Sequence, residues 1–278
     1  MTGDRPLDVH QAKRSLGQNF LVDPNLQRKI VEAIDPSSAD EVLEIGPGQG
    51  ALTRHLARRV RRLVLVELDD DLAARLRTLY AADPSVEVVH ADILATEPAA
   101  VLQAPGSAKV IGNIPYNITT PILFHLLGSR PRPALIVLMI QREVADRIVA
   151  APGSRTYGAL AVGIQSVADV QRVLNVSRNA FRPVPDVEST VLRITPHQPP
   201  ILSPDEERSL RDLTRIAFGQ RRKQFQRILR DAFALTPDDV DARAARTGFD
   251  LRARPETFSP TDFIRLANAL RASGHRSA

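Results

Sequence analysis

The sequence predicts an α/β fold: a mostly parallel sheet closed by an antiparallel hairpin, followed by a small all-helical C-terminal domain. Three observations carry that expectation. Five short β-rich runs, "EVLEI" (41–45), "LVLVE" (63–67), "VEVVH" (86–90), "AKVIG" (108–112) and "ALIVLMI" (134–140), alternate with helical patterns, the rhythm of a parallel sheet. "VQRVLNVS" (170–177) and "VESTVLRIT" (187–195) then follow with no helical pattern between them, as strands of a hairpin do. After the Pro-rich "TPHQPPILSP" (195–204) the periodicity is helical throughout. The boundary is therefore set at 199/200, giving a sheet domain over 1–199 with a basic N-terminal arm and a helical domain over 200–278. A chain of 278 residues with 43% hydrophobic composition suffices for one substantial core and a smaller one.

Between the first two runs, Leu52, Leu56 and Val60 repeat every four residues, which predicts one helix with that face on the sheet. Several function classes are excluded early. The chain has no cysteine, hence no disulfide framework and no thiolate ligand or nucleophile. Its six histidines are scattered, with no pair at the i, i+4 spacing of a helical metal site, so no metal is expected. No apolar signal segment opens the chain, and "PALIVLMIQ" is too short to span a bilayer. A cytoplasmic protein without a membrane partner is expected. The net charge of +5 gathers in "HQAKRSLGQ", "RHLARRVRR" and "GQRRKQFQRILR", three patches suited to a polyanion.

The chemistry-bearing residues fall at successive strand ends. The first strand runs into "EIGPGQG" (44–50), where Gly46, Gly48 and Gly50 allow a sharp turn and close approach to a ligand. The spacing is neither the dinucleotide fingerprint nor a P-loop, so a turn without a ligand remains open on this motif alone. Glu67 ends the second strand, about twenty residues on, where a carboxylate commonly takes both ribose hydroxyls. Asp92, after the third, is placed to accept from an adenine amino group. The "DDD" at 69–71 reads as a helix cap. The fourth strand stops at "NIPYN" (113–117): Pro115 lacks an N–H and forces Ile114 extended, fixing Asn113 and the local carbonyls. Tyr116 adds a flat ring, and an amide acceptor beside a stacking ring suits a planar base bearing an exocyclic amine.

These motifs, together with "KRSLGQNFLVD" (13–23), "HADIL", "FRPVPDVESTVLRI" (181–194) and "RPETFSPTDFIRLANAL" (254–270), occur in one order over nearly the whole chain. In that set the sequence resembles the ribosomal RNA adenine N6-dimethyltransferases, and in its C-terminal part their housekeeping small-subunit type. The resemblance implies a Rossmann-like methyltransferase sheet and an S-adenosylmethionine site. There Asn19 and Leu21 close over the methionine end, Gly46 approaches the cofactor, Glu67 holds the ribose, Asp92 the adenine, and Asn113 borders the reacting methyl. It further implies that Asn113 with the carbonyl of Ile114 or Pro115 holds the N6 hydrogens of the target adenine, and that Tyr116 and Phe181 sandwich its ring. The implied substrate is two adjacent adenines near the 3′ end of 16S RNA in an assembling 30S particle, acted on by a monomer. A large-subunit RNA or DNA methyltransferase and an RNA-binding assembly factor whose methylation is secondary remain alternatives.

RNA contact is expected from "FGQRRKQFQRILRDAF" (218–233). Read as one helix, it places Phe218, Phe225, Leu229 and Phe233 on one face and Lys223, Arg227 and Arg230 on the other. Arg221 and Arg222, in the same "QRRK" run, complete the phosphate track.

Overall fold

A computed structural model describes Lys13 and residues 17–272 of the chain. The rest of the basic arm, including residues 10–12 and 14–16, lies outside the described residues. In chain order the elements are β1 (Phe20–Leu21), α1 (Pro24–Glu32), β2 (Glu41–Ile45), α2 (Thr53–Leu56), β3 (Arg62–Glu67), α3 (Asp70–Leu79), β4 (Val86–His90), α4 (Pro98–Val101), β5 (Lys109–Asn113), α5 (Thr119–Gly128), β6 (Leu135–Gln141), α6 (Arg142–Ile148), α7 (Ala159–Gln165), β7 (Ala168–Val176), β8 (Phe181–Arg182), β9 (Ser189–Pro196), α8 (Pro204–Gly219), α9 (Phe225–Phe233), α10 (Pro237–Thr247) and α11 (Pro260–Ala272).

Seven strands form one sheet in the order β4-β3-β2-β5-β6-β9-β7. The first five are parallel; β9 runs antiparallel between β6 and β7. The five parallel runs and the terminal hairpin are thus present as expected. Both neighbours of β2 are parallel to it, one reached directly and the other by a crossover, so the chain reverses its direction of travel across the sheet at β2 and β5. Ligands bind at such a switch point, outside the carboxyl ends of the strands. The strands there pack closely: a Cβ on Gly112 of β5 would sit 2.8 Å from Ile45 O of β2.

Two sequence expectations are corrected. Leu52, Leu56 and Val60 are all buried against β2 and β3 as foreseen, but α2 is one turn long. The chain leaves the helix at Ala57 (ψ 134°), and Arg58 takes φ 65°, which brings Val60 to the core from a turn. Nor is 218–233 one helix. The break at Gln220–Gln224 arises because the first N–H groups of α9 are captured elsewhere: Phe225 N donates to Ala253 O (2.9 Å) and Gln226 N to Leu251 O (2.7 Å). Phe225, Leu229 and Phe233 still face inward, while Phe218 stacks on Phe263 at 5.5 Å.

The helical part begins where a capping box stops the Pro-rich segment. Ser203 Oγ accepts from Glu206 N, and the Glu206 carboxylate accepts from Ser203 N. One hydrophobic cluster runs from the sheet (Val110, Leu138, Ile194) through Tyr157 of the 149–158 loop to Leu213, Phe225 and Phe263. It crosses the expected 199/200 boundary without interruption. Tyr157 Oη donates to Phe258 O across it (2.9 Å). Beside it, Glu207 of α8 accepts from Arg130 (2.6 Å) and Arg132 of the α5–β6 connection. No helix of the described residues is long and apolar enough to cross a membrane.

Arg132 is 2% exposed and its Nη1 has no hydrogen-bond partner, so its charge depends on Glu207. Glu207→Ala should destabilise the protein by about 3–5 kcal/mol, the cost of stranding a buried cation, measured by urea denaturation.

Candidate functional site

A cavity of about 290 Å³ opens at the carboxyl edge of β2, β3 and β5. Its floor is the "EIGPGQG" turn, where Gly46, Gly48 and Gly50 all have positive φ (61°, 58° and 77°). At Gly48 the requirement is doubled, because a Cβ there would also meet the Phe20 ring at 3.1 Å. Phe20 belongs to the strip 17–21 that walls the cavity.

Glu67, at the end of β3, organises this wall. Its Oε2 accepts from Gly48 N and its Oε1 from Asp69 N, both at 2.9 Å. Burial at 6% exposure pushes its pKa up, against the pull of the Asp69 and Gly48 amides. Asp69 caps α3, as the "DDD" reading foresaw, and does more. Its carboxylate also accepts from Lys13 Nζ (2.9 Å) and Gln18 Nε2 (2.8 Å). Burial alone would raise Asp69, but these hydrogen bonds hold it below its ordinary value. Lys13 Nζ reaches Asp70 and Asp71 as well, at 3.2 and 2.8 Å, so one ammonium answers the acidic triplet.

The opposite wall is the strand end. β5 stops at Asn113, whose Nδ2 donates to Asn19 O (3.0 Å). That bond turns Oδ1 the other way, as an acceptor. Pro115 O is taken by the turn that follows, from Ile118 N (3.3 Å) and Thr119 Oγ1 (3.5 Å). Tyr116 is half-buried at the rim and its hydroxyl lies 2.7 Å from Ser189 Oγ.

The structure brings together Asn19, Leu21, Gly46, Glu67 and Asp92 with Asn113, Ile114, Pro115 and Tyr116 around the one cavity. Asp92 also caps the turn after β4, its Oδ1 accepting from Leu94 N at 2.9 Å. Phe181 is the exception. Its ring is fully buried, paired through β8 with Leu21 and packed in the core, because the β1–β8 ladder seats it beneath the strip. It is not among the residues lining the cavity; of the two rings expected to sandwich the base, Tyr116 lines it. Arg222, Arg227 and Arg230 are exposed on the helical part. Arg221 donates to Arg155 O (3.3 Å) and Lys223 pairs with Asp231 (3.1 Å), so Lys223 sits on the turn rather than on the face of α9.

One residue escaped the sequence reading. Glu44 of β2 is 1% exposed and reaches the cavity floor, its Oε2 accepting from Thr53 Oγ1 (2.7 Å). Burial first, and the nearby Glu67 charge with it, pushes its pKa up to about 8, against the pull of Thr53. The signal available was an acid inside a strand buried along its whole length, where an unpaired charge is costly.

Glu44 yields a pH test. The folded carboxyl keeps its proton up to about pH 8, whereas the unfolded one releases it near its ordinary value. The native state therefore binds more protons over that interval, and stability falls as pH rises. Glu44→Gln, which can still accept from Thr53, removes this term. Urea denaturation at pH 5, 6.5 and 8 should show the wild type losing ground to the variant, with a slope approaching about 1.4 kcal/mol per pH unit.

The comparisons agree with this architecture. Residues 9–271 match the family model described as ribosomal RNA adenine dimethylase. The chain is 40% identical over 267 residues to the ribosomal RNA small subunit methyltransferase A of Acidithiobacillus ferrooxidans, covering 96% of this chain and 97% of that one. It is 42% identical over 268 residues to the protein of that name from Bordetella pertussis, with the same coverage. Among solved structures, a dimethyladenosine transferase from Plasmodium falciparum superposes with a TM-score of 0.77 at 26% identity, over 92% of this chain and 98% of that one. The 23S rRNA methyltransferase ErmE superposes at 0.69 and 29% identity, over 91% and 99%. With that match along nearly its whole length, and with the glycine turn, the strand-end carboxylates and the "NIPY" stop gathered on one cavity, the chain belongs to the ribosomal RNA adenine dimethylase family, whose members are S-adenosylmethionine-dependent methyltransferases.

Proposed function

We propose that this enzyme transfers methyl groups to N6 of two adjacent adenines near the 3′ end of small-subunit ribosomal RNA, within an assembling 30S particle in the cytoplasm, and that it works as a monomer. The observation that carries the reading is the single cavity shared by the carboxylates of β3 and β4 and by the Asn113–Tyr116 strand end. The small-subunit assignment is supported by relatives of that name at 40–42% identity, against 29% for the 23S enzyme.

The cavity fits S-adenosylmethionine. Its floor is largely backbone at Gly46, Pro47 and Gly48, open to close approach, and Glu67 is a buried acceptor beside it. Glu67, with lone pairs left beyond its two backbone bonds, would hold the ribose; Asp92 would accept from the adenine amine; Asn19, Leu21 and Gly46 would enclose the remainder. Bound there, the cofactor supplies a methyl group on an electrophilic sulfonium.

The protein's own part is to make adenine N6 a competent nucleophile. That nitrogen's lone pair is delocalised into the ring until its hydrogens are drawn out of plane. Asn113 Oδ1 accepts one hydrogen. Because Pro115 O serves the following turn, Ile114 O is the carbonyl favoured for the other. Tyr116 stacks the base and sets its distance, and such orientation supplies a large share of an acceleration. After transfer the N6 proton passes to water. Arg222, Arg227 and Arg230, with Arg221 and Lys223 at the α8–α9 turn, would track RNA phosphates away from the cavity.

Two measurements test the reading. Glu67→Ala should weaken S-adenosylmethionine binding by about 1–3 kcal/mol by calorimetry; unchanged affinity removes Glu67 from the ribose site. Asn113→Ala and Tyr116→Ala should each slow single-turnover methylation of unmethylated small subunits at saturating RNA, Tyr116→Ala by the equivalent of about 1–3 kcal/mol. Mapping the modified bases on unmethylated small and large subunits checks the substrate, and label in large-subunit RNA overturns the assignment.

A further inference from the structure

Stacking a base asks only for a ring, yet Tyr116 is also tied by its hydroxyl. The 2.7 Å contact to Ser189 Oγ reaches the first residue of β9. Ser189 is 0% exposed and held from both sides, aligned with Gln141 of β6 and with Val176 of β7. It is not among the residues lining the cavity, so any effect on the base passes through Tyr116. The ring is thus fixed at two ends, by the backbone that Pro115 stiffens at its root and by a buried hydroxyl on a central strand at its tip.

We propose that Ser189 is a positioning residue for methyl transfer: by holding the Tyr116 hydroxyl it sets the plane of the stacking ring at the cavity mouth, and with it the angle at which N6 meets the methyl donor. Burial raises the Tyr116 pKa, Ser189 opposes this and the Glu188 charge adds to it, and the net shift is upward. The phenol keeps its proton at neutral pH and the contact remains a hydrogen bond. The inference rests on the reading of Tyr116 as the stacking surface.

The test is a double-mutant cycle in the full-length protein, with single-turnover methylation of unmethylated small subunits at saturating subunit and S-adenosylmethionine. Tyr116→Phe and Ser189→Ala should each lower the rate about threefold to tenfold, the worth of one hydrogen bond. The double variant should be no slower than the slower single, since either change breaks the same bond. Cofactor affinity by calorimetry and subunit affinity should stay at wild-type values, which a general weakening of the fold would not allow. Tyr116→Phe keeps the test decisive even if Ser189→Ala disturbs the hairpin. Wild-type rates in either single variant, losses that multiply in the double, or a loss confined to subunit affinity overturn the inference. Tyr116→Ala separates the layers: slow transfer there with wild-type Tyr116→Phe and Ser189→Ala leaves stacking standing without Ser189, whereas wild-type transfer in Tyr116→Ala removes the stacking reading beneath it.

Discussion

The site depends on where the two oxygens of Glu67 are spent. Bonded to Gly48 N and Asp69 N, the carboxylate joins the glycine turn after β2 to the start of α3 after β3, beyond the Gly46 N–Val66 O bond (3.0 Å) where the turn leaves the ladder. Each loop taken alone is a flexible connection whose amides would need water. Tied to one buried acid, they hold a concave floor. The cost is a carboxylate in a poorly solvated place, visible in its raised pKa. The Asp69 charge adds to that cost, and Glu67 in turn helps to raise the pKa of the buried Glu44. A buried acid at the cavity floor offers acceptors for a hydroxyl and no cradle for a phosphate, consistent with the absence of a phosphate-binding loop motif from the turn.

From Glu67 the constraint passes outward through Asp69. The same residue that gives its N–H to Glu67 takes hydrogen bonds from Lys13 and Gln18. On the other side, Asn113 at the end of β5 holds Asn19 O. Residues 17–21 are therefore held at both margins of the cavity, by α3 and by β5, and Gln27 Nε2 secures Leu21 O from α1 (2.8 Å). A strip with two strand residues of its own becomes a wall because its neighbours supply the partners. Asn113 anchors the wall through its amide nitrogen, which leaves its oxygen free for the acceptor role proposed for it.

What could be read from the residues follows from the range over which each interaction acts. The parallel strands were legible because β2, β3 and β6 are buried almost throughout, and continuous Val/Ile/Leu runs are the direct imprint of that burial. The strand stop at Pro115 was legible for a local reason, a missing N–H. The single-turn α2 was not, since Leu52, Leu56 and Val60 satisfy helical spacing whether or not the chain turns at Ala57. The break before Phe225 was hidden too, because the acceptors that cause it, Leu251 and Ala253, lie far along the chain. In the site the same division holds. Carboxylates at strand ends announced themselves, whereas Glu44 sat inside a strand, and the Lys13–Asp69 and Tyr116–Ser189 partnerships span 56 and 73 residues. The family resemblance supplied Phe181 as a motif residue without its environment, and the β1–β8 ladder is what buries it.

The helical C-terminal part bears on the same geometry through the core it shares with the sheet. Arg130 and Arg132 leave the end of α5, whose beginning follows the Tyr116 turn, and close on Glu207 of α8. Tyr157 Oη binds Phe258 O, and Phe218, Phe225, Phe258 and Phe263 stack edge and face against one another between α8, α9 and α11. A phosphate gripped near Arg227 or Arg230 would thus be held relative to the sheet by packed aromatic rings and buried ion pairs rather than by a linker. Close-packed interiors transmit displacement because they have no slack to absorb it. Under the proposed function, RNA contacts remote from the cavity would help fix the approach of an adenine to Tyr116, binding energy spent on orientation at the reacting atom.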